Sequence, residues 1–126
     1  MKELQTKIKW SFDTEAEFTT TWLKSLKDKG YYTDKISDAS IGTKRVDCYI
    51  STDSGTYCCE IKVIDNEKFQ LKTLRPNQWK SLRLWDDNWW SSIVVVYSKR
   101  HNKYKIIPFR LIAYLDKNDF VMLNFI

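Results

Sequence analysis

Residues 45–64 read RVDCYISTDSGTYCCEIKVI. Two runs rich in β-branched and aromatic residues flank the turn signal Asp53-Ser54-Gly55, which predicts a β-hairpin. Side chains alternate between the faces of a strand, so Glu60 and Lys62 project to one side while Cys59 and Ile61 project to the other. A two-residue loop, Asp53-Ser54, sets Asp47 directly opposite Glu60. A four-residue loop keeps the pair on one face, and an odd loop separates them unless a bulge compensates.

Carboxylates on adjacent strands repel each other and desolvate poorly unless something positive lies between them. A hard divalent cation such as Mg²⁺ satisfies both, with Asp47, Glu60 and the backbone carbonyl of Ile61 as oxygen ligands and several waters retained for chemistry. Lys62, on the same face, is placed to orient or help deprotonate an attacking water and to offset charge on a phosphate. The bland alternative is an exposed Glu60–Lys62 pair with Asp47 as a cross-strand partner. Cysteines and isoleucines typical of a buried sheet surround the pattern and favour the site.

Working outward, residues Thr14 to Lys29 read as a helix with Phe18, Trp22, Leu23 and Leu26 on one stripe, a cap at Thr14 or Asp13, and Gly30 as terminator. Glu15 falls within that stripe and Glu17 opposite it, which makes Glu15 the candidate third carboxylate and metal ligand. A strand follows at Tyr31 to Ser37, then a polar connection, Asp38 to Lys44. Beyond the hairpin come a charged loop, Asp65 to Lys68, and TLRPNQWKSLRLWDD (residues 73–87), a second helix with Pro76 in its first turn and Trp79, Leu82 and Trp85 inward. Gln78 shares that inward stripe, either to approach the site or to bond free N–H groups at the helix start.

The run Ser92 to Tyr97 is continuously apolar and β-branched, as expected of a central strand covered on both faces. A basic turn, Lys99 to Lys103, leads to a strand at Tyr104 to Ile107. Pro108 opens a short helix, Phe109 to Leu115, and a last strand near Phe120 to Phe125 closes an edge. The expectation is one α/β (α+β) domain over residues 1–126, with a mixed β-sheet flanked by helices in the order αβββαββα(β).

No stretch approaches the length of about 20 apolar residues that spans a bilayer, and MKELQTKIKW lacks the apolar region of a signal peptide, so a cytoplasmic protein is expected. Three cysteines and one histidine argue against structural zinc and against a disulfide framework. A net charge of +5 is compatible with a polyanionic partner. Lys44, Arg45, Lys68, Lys72, Lys99, Arg100 and Lys103 are the candidates to track a DNA backbone, unless they are ordinary solvated loop charges. Trp89 and Trp90 are expected to stack on unpaired bases, wedge a junction, enter a dimer interface, or pack on the domain's own sheet.

The spacing of Asp47 and Glu60-Ile61-Lys62 resembles the PD-(D/E)xK nucleases. With Gly42-Thr43-Lys44-Arg45-Val46 before it, Phe69-Gln70-Leu71-Lys72-Thr73-Leu74 and Gln78 after it, and the later Tyr104-Lys105-Ile106-Ile107-Pro108-Phe109 followed by Leu111, the chain is similar to RecU-type Holliday junction resolvases over residues 40–115. The resemblance implies a restriction-endonuclease-like core, Mg²⁺ or Mn²⁺ dependence, and cleavage of branched DNA by a homodimer. It gives Asp47, Glu60 and Lys62 the family's catalytic positions and Gln78 its glutamine. Asp38 to Lys44 leaves no room for the family's protruding stalk, which suggests a minimal phage or mobile-element relative. The alternatives are a site-specific, flap or nicking nuclease, or a nuclease fold used only to bind DNA or protein.

Overall fold

The computed structural model describes residues 1–36, 46–88 and 90–125. The connection Asp38 to Lys44, Arg45 and Trp89 lie outside the described residues.

Helix α1 (Glu15–Asp28) starts at its capping signal, with the Thr14 hydroxyl accepting the Glu17 N–H at 3.2 Å. It stops before Gly30, whose φ of +96° suits a residue without a Cβ. Strands β1 (Tyr32–Lys35), β2 (Cys48–Thr52) and β3 (Gly55–Ile64) follow, then a short β4 (Lys68–Gln70) and helix α2 (Pro76–Asp87). The chain continues through β5 (Ser91–Ser98), β6 (Lys103–Pro108), a four-residue helix α3 (Phe109–Ile112) and β7 (Phe120–Met122).

Five strands form one sheet in the order β1-β2-β3-β5-β6. Only β3 and β5 run parallel, and α2 lies on the crossover between them. The mixed sheet flanked by helices is therefore as expected. Every residue of β5 after Ser91 is buried, yet the middle position belongs to β3.

The C-terminal strand differs from its reading. β7 does not close an edge of the main sheet but pairs with β4 in a separate two-stranded ladder. β4 has three residues and a single buried side chain, Phe69, too few to show a period of two in sequence. The last helix also ends early, at Ile112. Asp116 and Asp119 bind the N–H groups of Asn118 and Asp116 at 2.8 and 3.2 Å, and such local bonds favour a turn over continued helix.

Two apolar layers sandwich the sheet. On one face Cys59, Ile61, Ile93, Val95 and Tyr97 pack under Phe18, Trp22 and Leu26 of α1. On the other Cys58, Val94 and Val96 pack under Leu82 of α2 and Phe109 and Ile112 of α3. Alternation along β3 thus turns Glu60 and Lys62 toward the α2 side. No helix among the described residues is long and apolar enough to cross a membrane.

Candidate active site

The hairpin closes on Asp53-Ser54, since Thr52 pairs with Gly55, and its register runs back to Cys48 opposite Cys59. Asp47 stands one residue before that register begins, and there its N–H turns to the Cys59 carbonyl and its carboxylate to the Ile61 N–H, which brackets Glu60 on β3. The even loop that the carboxylate pair requires is present.

Asp47 is held from several sides. Its N–H donates to the Cys59 carbonyl at 3.0 Å, its carbonyl accepts the Ile36 N–H at 2.9 Å, and its Oδ2 accepts the Ile61 N–H at 2.7 Å. A carboxylate taking a backbone N–H at that length makes a charge-assisted bond, so its direction is fixed. The bond also satisfies Ile61 where β2 stops pairing with β3.

Glu60 is 2% exposed, and its Oε1 accepts a hydrogen bond from Gln78 Nε2 at 2.9 Å. A buried carboxylate needs such donors, because desolvation penalises its charge. Gln78 performs both roles left open by its sequence position: its Oε1 accepts the Arg75 N–H at 2.8 Å, capping the start of α2, while its amide nitrogen serves Glu60. Helix start and carboxylate are thereby fixed to each other. Lys62 is half-buried two residues along β3, on the Glu60 face, while the Ile61 side chain is buried in the α1 layer.

Glu15 is not brought to this group. It is the exposed first residue of α1, a helix packed on the opposite face of the sheet from Glu60, and its carbonyl accepts the Thr19 hydroxyl at 2.6 Å. Its azimuth matches Phe18 and Trp22, but a first-turn position extends the stripe to where it is no longer covered. Glu17 is exposed as well. Among the described residues, no three His, Cys, Asp or Glu side chains gather in a group that could hold a metal ion. The protein's contribution at Asp47 and Glu60 is a pair of hard carboxylate donors.

All three cysteines are buried and unbonded to one another. Burial pushes the Cys58 thiol up to about 11 against the Ser92 hydroxyl 2.9 Å away, and pushes Cys59 well above the ordinary thiol range. Cys58 and Cys59 are therefore neutral packing groups at neutral pH.

The basic turn after β5 is fastened to the end of the Glu60 strand: Lys99 and Arg100 donate their N–H groups to the carbonyls of Ile64 and Asp65 at 2.9 and 3.0 Å. Its charges are partly offset. Lys99 lies 3.8 Å from Asp65, Arg100 3.3 Å from Glu67, and Lys103 Nζ donates to the Phe125 carbonyl at 3.0 Å. Lys68 sits over the Phe120 ring at 4.1 Å, and Lys72 lines a cavity beside α2. Trp79, Arg83, Lys117 and Asn118 share that cavity, and sequence reasoning had not grouped them. The available signal was Arg83 one helical turn after Trp79. Trp90 packs on its own domain, stacked on Trp85 at 4.5 Å and edge-on to Tyr49 at 5.2 Å.

No protein-family model matches the chain, and no curated protein matches it. Solved structures do. Archaeoglobus fulgidus Hjc, a Holliday junction resolvase from an archaeal hyperthermophile, superposes with a TM-score of 0.66 at 14% identity, over 84% of this chain and 85% of that one. The fold is Hjc-like. At that identity the match speaks for the fold alone, a mixed sheet with flanking helices. The β2–β3 hairpin lies at the centre of this sheet, with Glu60 on the strand that has two others on each side.

Proposed function

We propose that this protein is a divalent-metal-dependent DNA endonuclease that cuts branched DNA, in the manner of a Holliday junction resolvase. One observation carries the reading: the Asp47 carboxylate is tied to the Ile61 N–H, next to the buried Glu60, with Lys62 on the Glu60 face, in a sheet whose fold is like that of a Holliday junction resolvase. A solvated surface pair has no need of a buried glutamate positioned by a helix-capping glutamine.

Mg²⁺ or Mn²⁺ would be held by Asp47, Glu60 and the Ile61 carbonyl, where it supplies Lewis-acid charge for hydrolysis of a phosphodiester. Two carboxylates suffice in kind, because Mg²⁺ commonly binds through one or two of them and leaves its other positions to water and substrate phosphate. Asp47 is aimed by the Ile61 N–H and Glu60 by the Gln78 amide. The Lys62 ammonium offsets charge on the scissile phosphate and orients the attacking water. Glu15, the exposed first residue of α1, is the carboxylate to test for a part in metal binding beyond this pair. Lys99 and Arg100, on the turn after β5, and Lys103, at the start of β6, meet the flanking backbone, with Lys68 and Lys72 beyond them. A homodimer cutting two strands symmetrically fits a four-way junction, whose strands are related by symmetry. The RecU likeness of residues 40–115 and the Hjc likeness of the fold both point to this substrate class.

The test is a panel of four-way junction, flap, single-stranded and duplex DNA, with Mg²⁺ or Mn²⁺ and with chelator. Paired symmetric nicks on the junction, abolished by chelator and by Lys62→Ala, are expected. Glu15→Gln and Glu17→Gln, run in parallel, identify which glutamate takes part. If no substrate is cut with either ion, and Lys62→Ala behaves like the parent, the protein is not a nuclease. Cutting of flaps or duplex in preference to junctions reassigns it to another nuclease class.

A further inference from the structure

Helix α2 presents two faces to two different places. Gln78 turns inward to Glu60, and the adjacent Trp79 forms a wall of a cavity of about 560 Å³ bounded on its other sides by the chain before α2 and the chain after α3. Lys72, Arg83 and Lys117 supply cations to its lining, and no carboxylate is among the lining residues. Asp116 and Asp119, in the turn that carries Lys117 and Asn118, are engaged with backbone N–H groups of that turn. The remaining walls are largely apolar, with Leu74, Pro76 and Leu115 among them.

The Trp79 ring is braced edge-on against Phe109 at 5.4 Å. Its indole N–H is buried with no hydrogen-bond partner among the described residues. Leaving a buried donor unmade is unfavourable, and such a group calls for an explanation. Arg83 is set in place by a bond from its guanidinium to the Ala113 carbonyl at 3.1 Å, and it lies over the Phe109 ring.

From these features we infer that the cavity receives one unstacked nucleotide of a DNA strand, its base against Trp79 and the apolar walls and its phosphate among Lys72, Arg83 and Lys117. The volume falls in the range of small-ligand pockets, on the order of 300–1,000 Å³. Combining an aromatic platform with backbone-tracking cations is how proteins hold single-stranded nucleic acid without reading its sequence. A lone phosphate has no use for the apolar walls, and a paired base keeps its faces stacked within the duplex, away from Trp79. Resting on the nuclease reading, the inference names which part of a branched substrate α2 engages: a strand that has left the duplex. Since α2 also carries Gln78, occupation of the cavity and the placement of Glu60 act through one rigid element.

Binding is measured with the full chain in chelator, where no cutting intervenes, using a fluorescent short oligodeoxythymidylate, the matching duplex and inorganic phosphate as competitor. The single strand should bind more tightly than the duplex and resist competition by phosphate. Lys72→Ala/Lys117→Ala, at exposed positions that leave the core untouched, should weaken it at least tenfold and lower the slope of log affinity against log salt by about 0.7 for each phosphate no longer neutralised. An oligonucleotide carrying 5-iododeoxyuridine should photocrosslink to the peptide containing Trp79. Parent-like binding by the double variant, equal competition by phosphate, or crosslinking only elsewhere overturns the inference. Junction cutting with Mg²⁺ that survives such a result leaves the nuclease reading intact. Oligonucleotide capture at Trp79 by a protein that cuts nothing leaves only the cavity assignment standing.

Discussion

The carboxylate of Asp47 has two separable properties, charge and hydrogen-bond acceptance, and substitutions can remove one without the other. Asn retains an oxygen for the Ile61 N–H, whereas Ala leaves that half-buried donor unmade. Asp47→Asn should therefore unfold within about 1 kcal/mol of the parent yet lose cutting by about a hundredfold or more, while Asp47→Ala should also lose about 1–3 kcal/mol of stability. Denaturant titration beside a junction-cutting assay checks this; equal activity of parent and Asp47→Asn would remove Asp47 from the chemistry. Gln78 works through Glu60, and Gln78→Ala should lower cutting by about 10- to 100-fold, the usual effect of losing a residue that orients a ligand. Its kcat should fall more than its KM rises, which a merely structural loss of helix start would not produce.

Elements show where the sequence was legible. The hairpin was readable because a turn signal and period-two alternation agree, and its two-residue loop is as read; the paired register ends at Cys48, and Asp47 departs from it by donating to the Cys59 carbonyl. α1 and α2 were readable because capping and proline signals coincide with apolar stripes. β4 was missed and β7 misplaced because three-residue strands carry no periodicity and their partner is chosen by tertiary packing. Glu15 was legible in azimuth alone: periodicity says which way a helical residue points, but not where along the helix its cover ends. For Gln78 the two sequence readings were both met, by opposite ends of one amide. Leu82, fully buried between α2 and the sheet, is the anchor that holds Gln78 over Glu60. Leu82→Ala should cost about 2–5 kcal/mol and depress cutting at temperatures well below its melting point, as calorimetry and assay together would show.

At the scale of the whole molecule, the N-terminal segment is fastened to the sheet by polar bonds to aromatic side chains. Glu3 accepts the Tyr57 hydroxyl, and Tyr104 bonds to Leu4 and Thr6. Burial, reinforced by the bond to Glu3, pushes Tyr57 up to about 12. The folded state therefore holds the tyrosine proton more tightly than the unfolded chain, whose tyrosine titrates near about 10. The stabilisation is intact below pH of about 10 and is lost as pH rises through about 12, so the segment should loosen in that window. Tyrosinate absorbance with Tyr57→Phe as control measures it; a Tyr57 that titrates at the ordinary value contradicts the packing described.

The middle strand of the sheet also dictates an order of events in time. β2 and β3 are joined by a tight turn, so Asp47 and Glu60 can meet as soon as the hairpin forms. The parallel ladder between β3 and β5 must wait for α2 to be made and crossed. Refolding protein should thus bring its two acidic groups together before Gln78 arrives to hold them, and that early state carries repelling carboxylates with less support than the native one. If the pair holds a divalent ion as proposed, such ions should then accelerate refolding. Pulse-labelled hydrogen exchange, with and without Mg²⁺, would show hairpin amides protected ahead of those in β5, and simultaneous protection would refute this sequence of assembly.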